Sequence, residues 1–186
     1  MNLNDAQKMI QETASNITRQ EIAPQSANLD RKQSFPKDGL KKLAKAGFLG
    51  ITVPEALGGG GADTLSLVLA SEAIAKGCAS TALVFLTHTV VAGDSLGAFA
   101  ATEPVSGSNP FAIATKGVTE GDHFVVNGTK AFITSSEEAG VYLIILRTDK
   151  AKSPADLSAL IIEKGTPGFS FGKKEDNMGL RGSSDG

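Results

Sequence analysis

The first half of the chain places its apolar residues at intervals of three and four positions. One such stripe is formed by Leu3, Ala6, Ile10, Ala14 and Ile17. This spacing matches the period of an α-helix and predicts an amphipathic helix over residues 3–31. Pro24 lies inside that range, and proline removes a backbone donor and clashes with the preceding turn. We therefore expect the helix to kink or break near Pro24.

Three further helices are predicted before residue 93. One begins at Pro36, because proline is favoured at the first helical position, and ends at Gly47. The other two follow a capping residue: residues 65–76 come after Asp63 or Thr64, and residues 81–92 come after Ser80. These two are apolar almost all round, which is typical of helices buried within a larger assembly.

After Gly93 the apolar residues alternate with polar ones, and this alternation indicates β-strands. Alternating segments lie at residues 111–115, 123–126, 131–134, 141–147 and 157–163. Turn-forming residues such as Asn127-Gly128 separate them, and short strands joined by tight turns predict an antiparallel sheet or barrel. The expected fold class is α+β, with a helical domain at residues 1–95 and an antiparallel β-barrel-like domain at residues 96–186.

Composition narrows the class of protein. The 186 residues include 18 Lys and Arg against 20 Asp and Glu, a formal net charge of −2. This balance argues against binding to nucleic acid or to a membrane surface through a basic field. A single cysteine and two histidines exclude an internal disulfide and predict no metal site. No apolar stretch is long enough for a membrane span and no secretory signal is visible, so we expect a soluble cytoplasmic protein.

Residues 97–109 carry the densest set of short polar side chains. Their hydroxyl and amide groups belong to Thr102, Ser106, Ser108 and Asn109. Pro104 and Gly107 favour a turn, which presents several backbone N–H groups toward one point. Such a turn suits a planar polar ligand or an anion, but a polar loop between strands explains the same residues equally well.

Three other features are weaker candidates for a functional role. Four consecutive glycines at residues 58–61 predict a loop, but no Lys-Ser or Lys-Thr pair follows them as in a phosphate-binding loop. His88 lies in an apolar helix, where a buried, hydrogen-bonded imidazole is more common than a catalytic one. Cys78 has no basic neighbour in the sequence, so we expect it to pack as a small apolar side chain.

Four segments together resemble the acyl-CoA dehydrogenase family, flavoenzymes that oxidise acyl thioesters to 2-enoyl thioesters. They follow the family's order: Phe35-Pro36 with residues 47–50 and 53–61, Thr102-Glu103-Pro104 with Gly107-Ser108-Asn109, residues 127–134, and residues 178–183. The segments are similar to the family's first-domain signature, its flavin loop, its Asn-Gly-x-Lys-x-aromatic-Ile-Thr strand and the end of its middle domain. The resemblance spans nearly the whole chain and implies the same helix-then-strand division.

The resemblance implies FAD as cofactor, an acyl-CoA as substrate and an electron-transfer flavoprotein as electron acceptor, in a homo-oligomer. The residues implied to contact FAD are Phe99, Ala101, Thr102, Gly107, Ser108, Phe132, Ile133 and Thr134. Phe132 would cover one face of the isoalloxazine ring, Thr134 would bond near its N5 atom, and Ser108 would also contact the acyl-CoA. The two groups of residues should converge on one concave surface. In a eukaryote the resemblance implies the mitochondrial matrix, although no transit peptide is visible.

The chain departs from the family pattern at three places. Asn109 stands where the family usually has Asp, which removes one charge from the loop. The stretch after His88 runs almost directly into residues 97–99, whereas relatives carry a Lys-rich helix and a Leu-Pro segment between the two. Relatives also continue beyond the position of Gly186 into a helical bundle that carries the catalytic glutamate. We therefore expect the catalytic base beyond Gly186 and assign none within these residues.

Two alternatives to the dehydrogenase reading remain open. A related flavoenzyme, such as an acyl-CoA oxidase or a nitroalkane-oxidising enzyme, would use the same loop with different reoxidation chemistry. An incomplete chain without activity would serve only as an assembly partner or be an inert product. In each case the apolar helices over residues 65–76 and 81–92 lack the cover they have in relatives, so we expect self-association.

Overall fold

The computed structural model describes residues 2–91, 95–148, 153 and 156–186, and its helices precede a sheet. The helices are α1 (Asp5–Ile17), α2 (Ala23–Lys32), α3 (Lys37–Lys45), α4 (Thr64–Ala75) and α5 (Ala79–Val91). Short 3₁₀ turns occur at Phe48–Gly50, Glu55–Leu57 and Pro110–Ala112. The strands are β1 (Gly97–Ala100), β2 (Lys116–Glu120), β3 (His123–Asn127), β4 (Val141–Thr148) and β5 (Ser158–Glu163). This order confirms the predicted α+β class.

The first helical run continues through Pro24 instead of ending there. Asn4 caps α1, because its side chain accepts a hydrogen bond from the Gln7 N–H while the Gln7 side chain accepts one from the Asn4 N–H. A π-helical segment, Thr18–Ile22, separates α1 from α2, and Pro24 lies in the first turn of α2. The wider π turn accommodates the proline ring, so the predicted interruption takes the form of a π segment rather than a break.

The residues that flank the other helices determine where these helices begin and end. Pro36 directly precedes α3, and Gly47 follows it in the left-handed conformation with φ 79°. Asp63 caps α4 by accepting a hydrogen bond from a backbone N–H in its first turn at 2.8 Å. Helix α5 begins at Ala79, so Ser80 lies inside this helix and the predicted cap is wrong.

The helical region has its own apolar core. The largest fully buried apolar side chains in it are Ile22, Leu43, Ile74, Val84 and Phe85. Helices α4 and α5 contribute buried apolar residues to this core, and Val68 and Leu86 are exposed. The contributing residues are Ala70, Ala73, Ile74, Ala82, Val84 and Phe85. The predicted end of the last helix, Ala92, lies outside the described residues. None of the helices in the described ranges combines the length and the apolar character that crossing a bilayer requires.

The five strands form a mixed sheet that is open within the described residues. Strand β4 lies at its centre, antiparallel to β5 on one side and parallel to β1 and then β2 on the other. Strands β2 and β3 form an antiparallel hairpin. The prediction of a purely antiparallel, barrel-like arrangement is therefore wrong for the pairs β1–β4 and β2–β4. A parallel pair requires a long crossover connection, and residues 101–140 provide it between β1 and β4.

Two of the predicted strands are loops in the structure. Residues 111–115 begin within the 3₁₀ turn Pro110–Ala112, and their last two N–H groups donate to the Glu103 carboxylate. Residues 131–134 follow an irregular path, with Phe132 at φ 58°. That left-handed conformation is incompatible with a strand. Both segments consist mostly of apolar residues, but their backbone groups bond to loops and side chains.

An irregular C-terminal segment, residues 173–186, lies between the helices and the sheet. Lys174 Nζ donates to the carbonyl group that follows α2 at 2.6 Å, and the Gly182 N–H donates to Ser80 Oγ at 3.3 Å. Backbone hydrogen bonds join the end of the segment to residues 133–136. The segment therefore connects the helical region with the loop that follows β3.

Candidate functional site

The loop after β1 and the segment after β3 lie side by side. The Ala131 N–H donates to the Thr102 carbonyl at 3.0 Å, and Lys130 Nζ donates to the Ala101 carbonyl at 3.0 Å. The structure therefore brings the polar loop and residues 130–134 together, although the sequence separates them by β2 and β3.

A tight turn shapes the polar loop. Glu103 and Ser106 exchange both backbone hydrogen bonds, at 2.8 and 3.0 Å, and Pro104 lies at the tip. Asn109 Oδ1 accepts the Phe111 N–H at 3.1 Å and begins the 3₁₀ turn. An amide oxygen accepts this bond as a carboxylate oxygen does, so Asn109 retains the capping function that an Asp would have.

A buried ion pair lies behind this turn. Lys130 Nζ is 2.8 Å from Glu103 Oε1, and the two side chains are 11% and 3% exposed. Burial raises the pKa of Glu103, but the hydrogen bonds from Lys130 and from Ala114 and Thr115 outweigh burial and lower that pKa from 4.5 to about 2. The carboxylate is therefore ionised and occupied by donors at neutral pH.

The predicted cofactor residues differ in their exposure. Phe99 is 40% exposed and Phe132 is 64% exposed, which is unusual for aromatic side chains. Gly107 and Ser108 are also exposed. Ala101, Thr102 and Thr134 are half-buried. Ile133 differs from the rest, because its side chain packs in the sheet core and its N–H donates to the Gly186 carbonyl at 2.8 Å.

These groups suit a flat aromatic ligand with polar edges. The exposed ring of Phe132 can stack on another ring without a polar partner. The hydroxyl groups of Thr102, Ser108 and Thr134 are short donors and acceptors at accessible or half-buried positions. This set of side chains fits the flavin ring of FAD that the resemblance implies.

The other sequence candidates have structural roles. In the glycine loop, a Cβ on Gly59 would overlap Val53, so glycine permits a close backbone approach there. His88 is buried and its Nδ1 accepts the Gly97 N–H at 3.2 Å, and burial lowers the pKa of this imidazole. Cys78 is buried in the helical core. No group of potential metal ligands is present in the part of the chain that the structure describes.

Lys130 is the residue of this site that the sequence analysis does not identify. It lies inside the segment 127–134, but the resemblance implies roles only for the last three residues of that segment. A lysine directly before the apolar residues 131–133 is the available signal, because a buried lysine requires a charged partner. The spacing does not show that Glu103, 27 positions earlier, is that partner.

Comparisons with known proteins identify the family to which this chain is similar. The chain matches the N-terminal domain of acyl-CoA dehydrogenases over residues 4–104 and their middle domain over residues 98–186. The short-chain specific acyl-CoA dehydrogenase of Clostridium acetobutylicum is 34% identical, over 98% of this chain and 54% of its own length. A solved structure described as the electron transferring flavoprotein of Acidaminococcus fermentans has a TM-score of 0.92 and 34% identity, over 100% of this chain and 55% of that chain. The Bacillus anthracis acyl-CoA dehydrogenase complexed with FAD has a TM-score of 0.87 and 27% identity, over 99% and 35%.

The chain belongs to the acyl-CoA dehydrogenase family. It spans about half the length of the curated relatives it matches. The alignment with the Clostridium acetobutylicum protein runs over 205 positions, more than the 186 residues present, so that relative carries residues without a counterpart here. Such a shortening is predicted between His88 and residues 97–99, and residues 92–94 of that interval lie outside the described residues.

Proposed function

We propose that this chain provides the FAD-binding part of an enzyme that converts an acyl-CoA thioester to its 2-enoyl-CoA. The contact between the loop after β1 and residues 130–134 carries this proposal, because it gathers Thr102, Phe132 and Thr134 into one region. Membership of the family supports the reaction class. The similarity to the Bacillus anthracis protein complexed with FAD supports the cofactor.

Each residue has a proposed role in holding the cofactor. Phe132 would cover one face of the flavin ring, and the Thr134 hydroxyl would bond near its N5 atom. The N–H and hydroxyl groups of Thr102 stabilise negative charge on the pyrimidine side of the ring. When bound, FAD supplies the hydride acceptor for the oxidation. Ser108 contacts the acyl-CoA as well as the cofactor.

The described residues near the loop offer no carboxylate suited to remove the substrate proton. An α-proton of a thioester is weakly acidic, so its removal requires a basic carboxylate in a dry pocket. Glu103 is unsuitable, because its pKa is about 2 and donors already surround its oxygens. We propose that the base belongs to a part of the family fold that these residues do not include.

An anaerobic titration tests both parts of this proposal. The purified chain is loaded with FAD and titrated with short- and medium-chain acyl-CoA, and then with dithionite. We expect the flavin absorbance to persist with every acyl-CoA and to bleach with dithionite, since chemical reduction requires no base. A chain that retains no FAD would refute the cofactor role. Rapid bleaching by an acyl-CoA would place a base within this chain, and the Glu103→Gln variant would show whether Glu103 is that base.

Reoxidation of the reduced flavin distinguishes a dehydrogenase from an oxidase. We propose an electron-transfer flavoprotein as the acceptor, and the structural similarity to the Acidaminococcus fermentans protein supports this choice. The dithionite-reduced chain should pass electrons to an electron-transfer flavoprotein faster than to oxygen. Faster reaction with oxygen, followed by absorbance, would instead favour the oxidase alternative.

A further inference from the structure

Lys130 anchors the polar loop through its backbone. Its ammonium group donates to the Ala101 carbonyl at 3.0 Å, to Glu103 Oε1 at 2.8 Å and to the Ile145 carbonyl in β4 at 2.6 Å. An ammonium group has three N–H donors, so this geometry uses all of them. Lys130 therefore ties the loop after β1 to the centre of the sheet.

Glu103 is held from its other side by a second set of donors. Its Oε2 accepts the Ala114 N–H at 2.7 Å, and its Oε1 accepts the Thr115 N–H at 3.0 Å and the Thr115 hydroxyl at 2.5 Å. Thr115 is itself buried, with 3% exposure. The pair thus joins the loop after β1, the segment before β2, the segment after β3 and strand β4, with both charges compensated.

Each anchored carbonyl group also fixes the direction of the N–H group in the same peptide unit, which belongs to the next residue. In a trans peptide the C=O of one residue and the N–H of the next point in opposite directions, and the described residues contain no cis peptide. The Ala101 carbonyl faces Lys130, so the Thr102 N–H faces away from the ion pair. The Thr102 carbonyl is fixed in turn by the Ala131 N–H.

We propose that the Lys130–Glu103 pair is a positioning device that aims the Thr102 N–H and hydroxyl groups at the flavin ring. This inference rests on the proposed function. A buried ion pair adds little net stability compared with apolar side chains of similar volume, because desolvation offsets the attraction. The effect of this pair lies in fixing one loop conformation, and both of its side chains are largely buried.

Two variants separate positioning from folding. The double variant Glu103→Gln/Lys130→Met removes both charges together, so it leaves no uncompensated buried charge. Thr115→Val removes one donor to Glu103 with little change in volume, at a residue that is only 3% exposed. Lys42→Met is the matched control, because it breaks an ion pair of 3.2 Å with Glu21 in the helical region.

The readouts are FAD affinity by flavin fluorescence, the visible band of the bound flavin, and thermal unfolding of the FAD-free chains. We expect FAD binding about tenfold weaker and a shifted band in the double variant, with a loss of about threefold in Thr115→Val, since charge-assisted bonds orient the loop. Lys42→Met should bind as the parent does.

Unchanged FAD affinity and an unchanged band in the folded variants would overturn the positioning role, even if their unfolding temperatures fall. If the double variant does not fold, Thr115→Val decides alone. A parent chain that binds no FAD would refute the proposed function, and this inference with it. A parent that binds FAD, together with variants that bind equally well, would refute only the inference.

Discussion

Glu103 links the stability of the fold to pH. Its pKa is 4.5 without these contacts and about 2 in the folded chain, so the folded state binds this proton less readily than the unfolded state. The stabilisation is therefore complete above about pH 4.5 and is lost as the pH falls toward about 2. We expect Glu103→Gln to lower the free energy of unfolding at neutral pH by about 3 kcal/mol, because Lys130 loses its counter-charge in a buried site. Denaturant unfolding across this pH range measures both effects.

The control for this prediction is an exposed carboxylate. Glu72 is 2.9 Å from Lys76 on the surface of α4, and both side chains are more than half exposed. Glu72→Gln should change the stability by no more than about 0.5 kcal/mol, since solvent screens such pairs. Glu103→Gln should also make the free energy of unfolding depend less on pH in the acid range. A variant that loses stability with falling pH as steeply as the parent would show that Glu103 does not cause this dependence.

At the scale of single residues, the sequence predicted which segments meet but not which side chains face outward. The motif containing Thr102 and the motif containing Phe132 are adjacent, as the resemblance implied. The direction of each side chain depends on bonds between distant residues: Ile133 turns inward where its backbone bonds to Gly186. Lys130 could not be predicted as an anchor, because its three acceptors come from two segments that are distant from it in the sequence, the loop after β1 and strand β4.

At the scale of elements, alternation predicted β3, β4 and β5 but missed β1 and β2. Strand β1 consists mostly of small residues, and β2 carries one large apolar residue, Val118, so neither shows an alternating pattern. Residues 111–115 and 131–134 are mostly apolar and were predicted as strands, but they are loops in the crossover between β1 and β4. The pattern of apolar and polar residues indicates which side chains of a segment are buried. It does not show whether a neighbouring strand is present to pair with the backbone of that segment.

Gly77 controls how closely the end of α4 packs against the π segment. A Cβ at this position would overlap Thr18 Cγ2 and approach the Ala23 Cβ at 3.1 Å. Overpacking of this kind typically costs about 1–3 kcal/mol, so Gly77→Ala should lower the free energy of unfolding by that amount. Gly172→Ala is the matched control, because a Cβ there meets no atom within 4 Å. Denaturant unfolding that gave both variants equal stability would show that the helices separate without cost.

At the scale of the whole molecule, hydrogen bonds at two places join the helices to the sheet region in the described residues. The first runs from His88 in α5 to the Gly97 N–H at the start of β1. The second is the C-terminal segment, residues 173–186, which contacts α5 through Ser80 and the loop after β3 through residues 133–136. The periodicity of the sequence could not predict either connection, because each depends on hydrogen bonds between residues that share no regular spacing in the sequence.

One face of the sheet carries apolar side chains that the described residues leave uncovered. Phe99, Leu143 and Ile161 are register neighbours across β1, β4 and β5, so they share one face. Phe99 is 40% exposed and Ile161 is 68% exposed. Adjacent exposed apolar side chains favour association, so this row is a second candidate surface for the expected self-association, beside Val68 and Leu86 on the helices.

Sedimentation velocity over a range of concentrations tests whether this row causes self-association. We expect the parent chain to associate at micromolar concentration and Ile161→Lys to shift it toward the monomer, because a charge on this face opposes its burial. Met9→Lys is the control, since it changes a residue that is 64% exposed on α1, away from the sheet. Phe99 also belongs to the proposed FAD site, so added FAD should weaken association of the parent. A parent that remains monomeric would contradict the prediction, and equal association of both variants would place the interface on another surface.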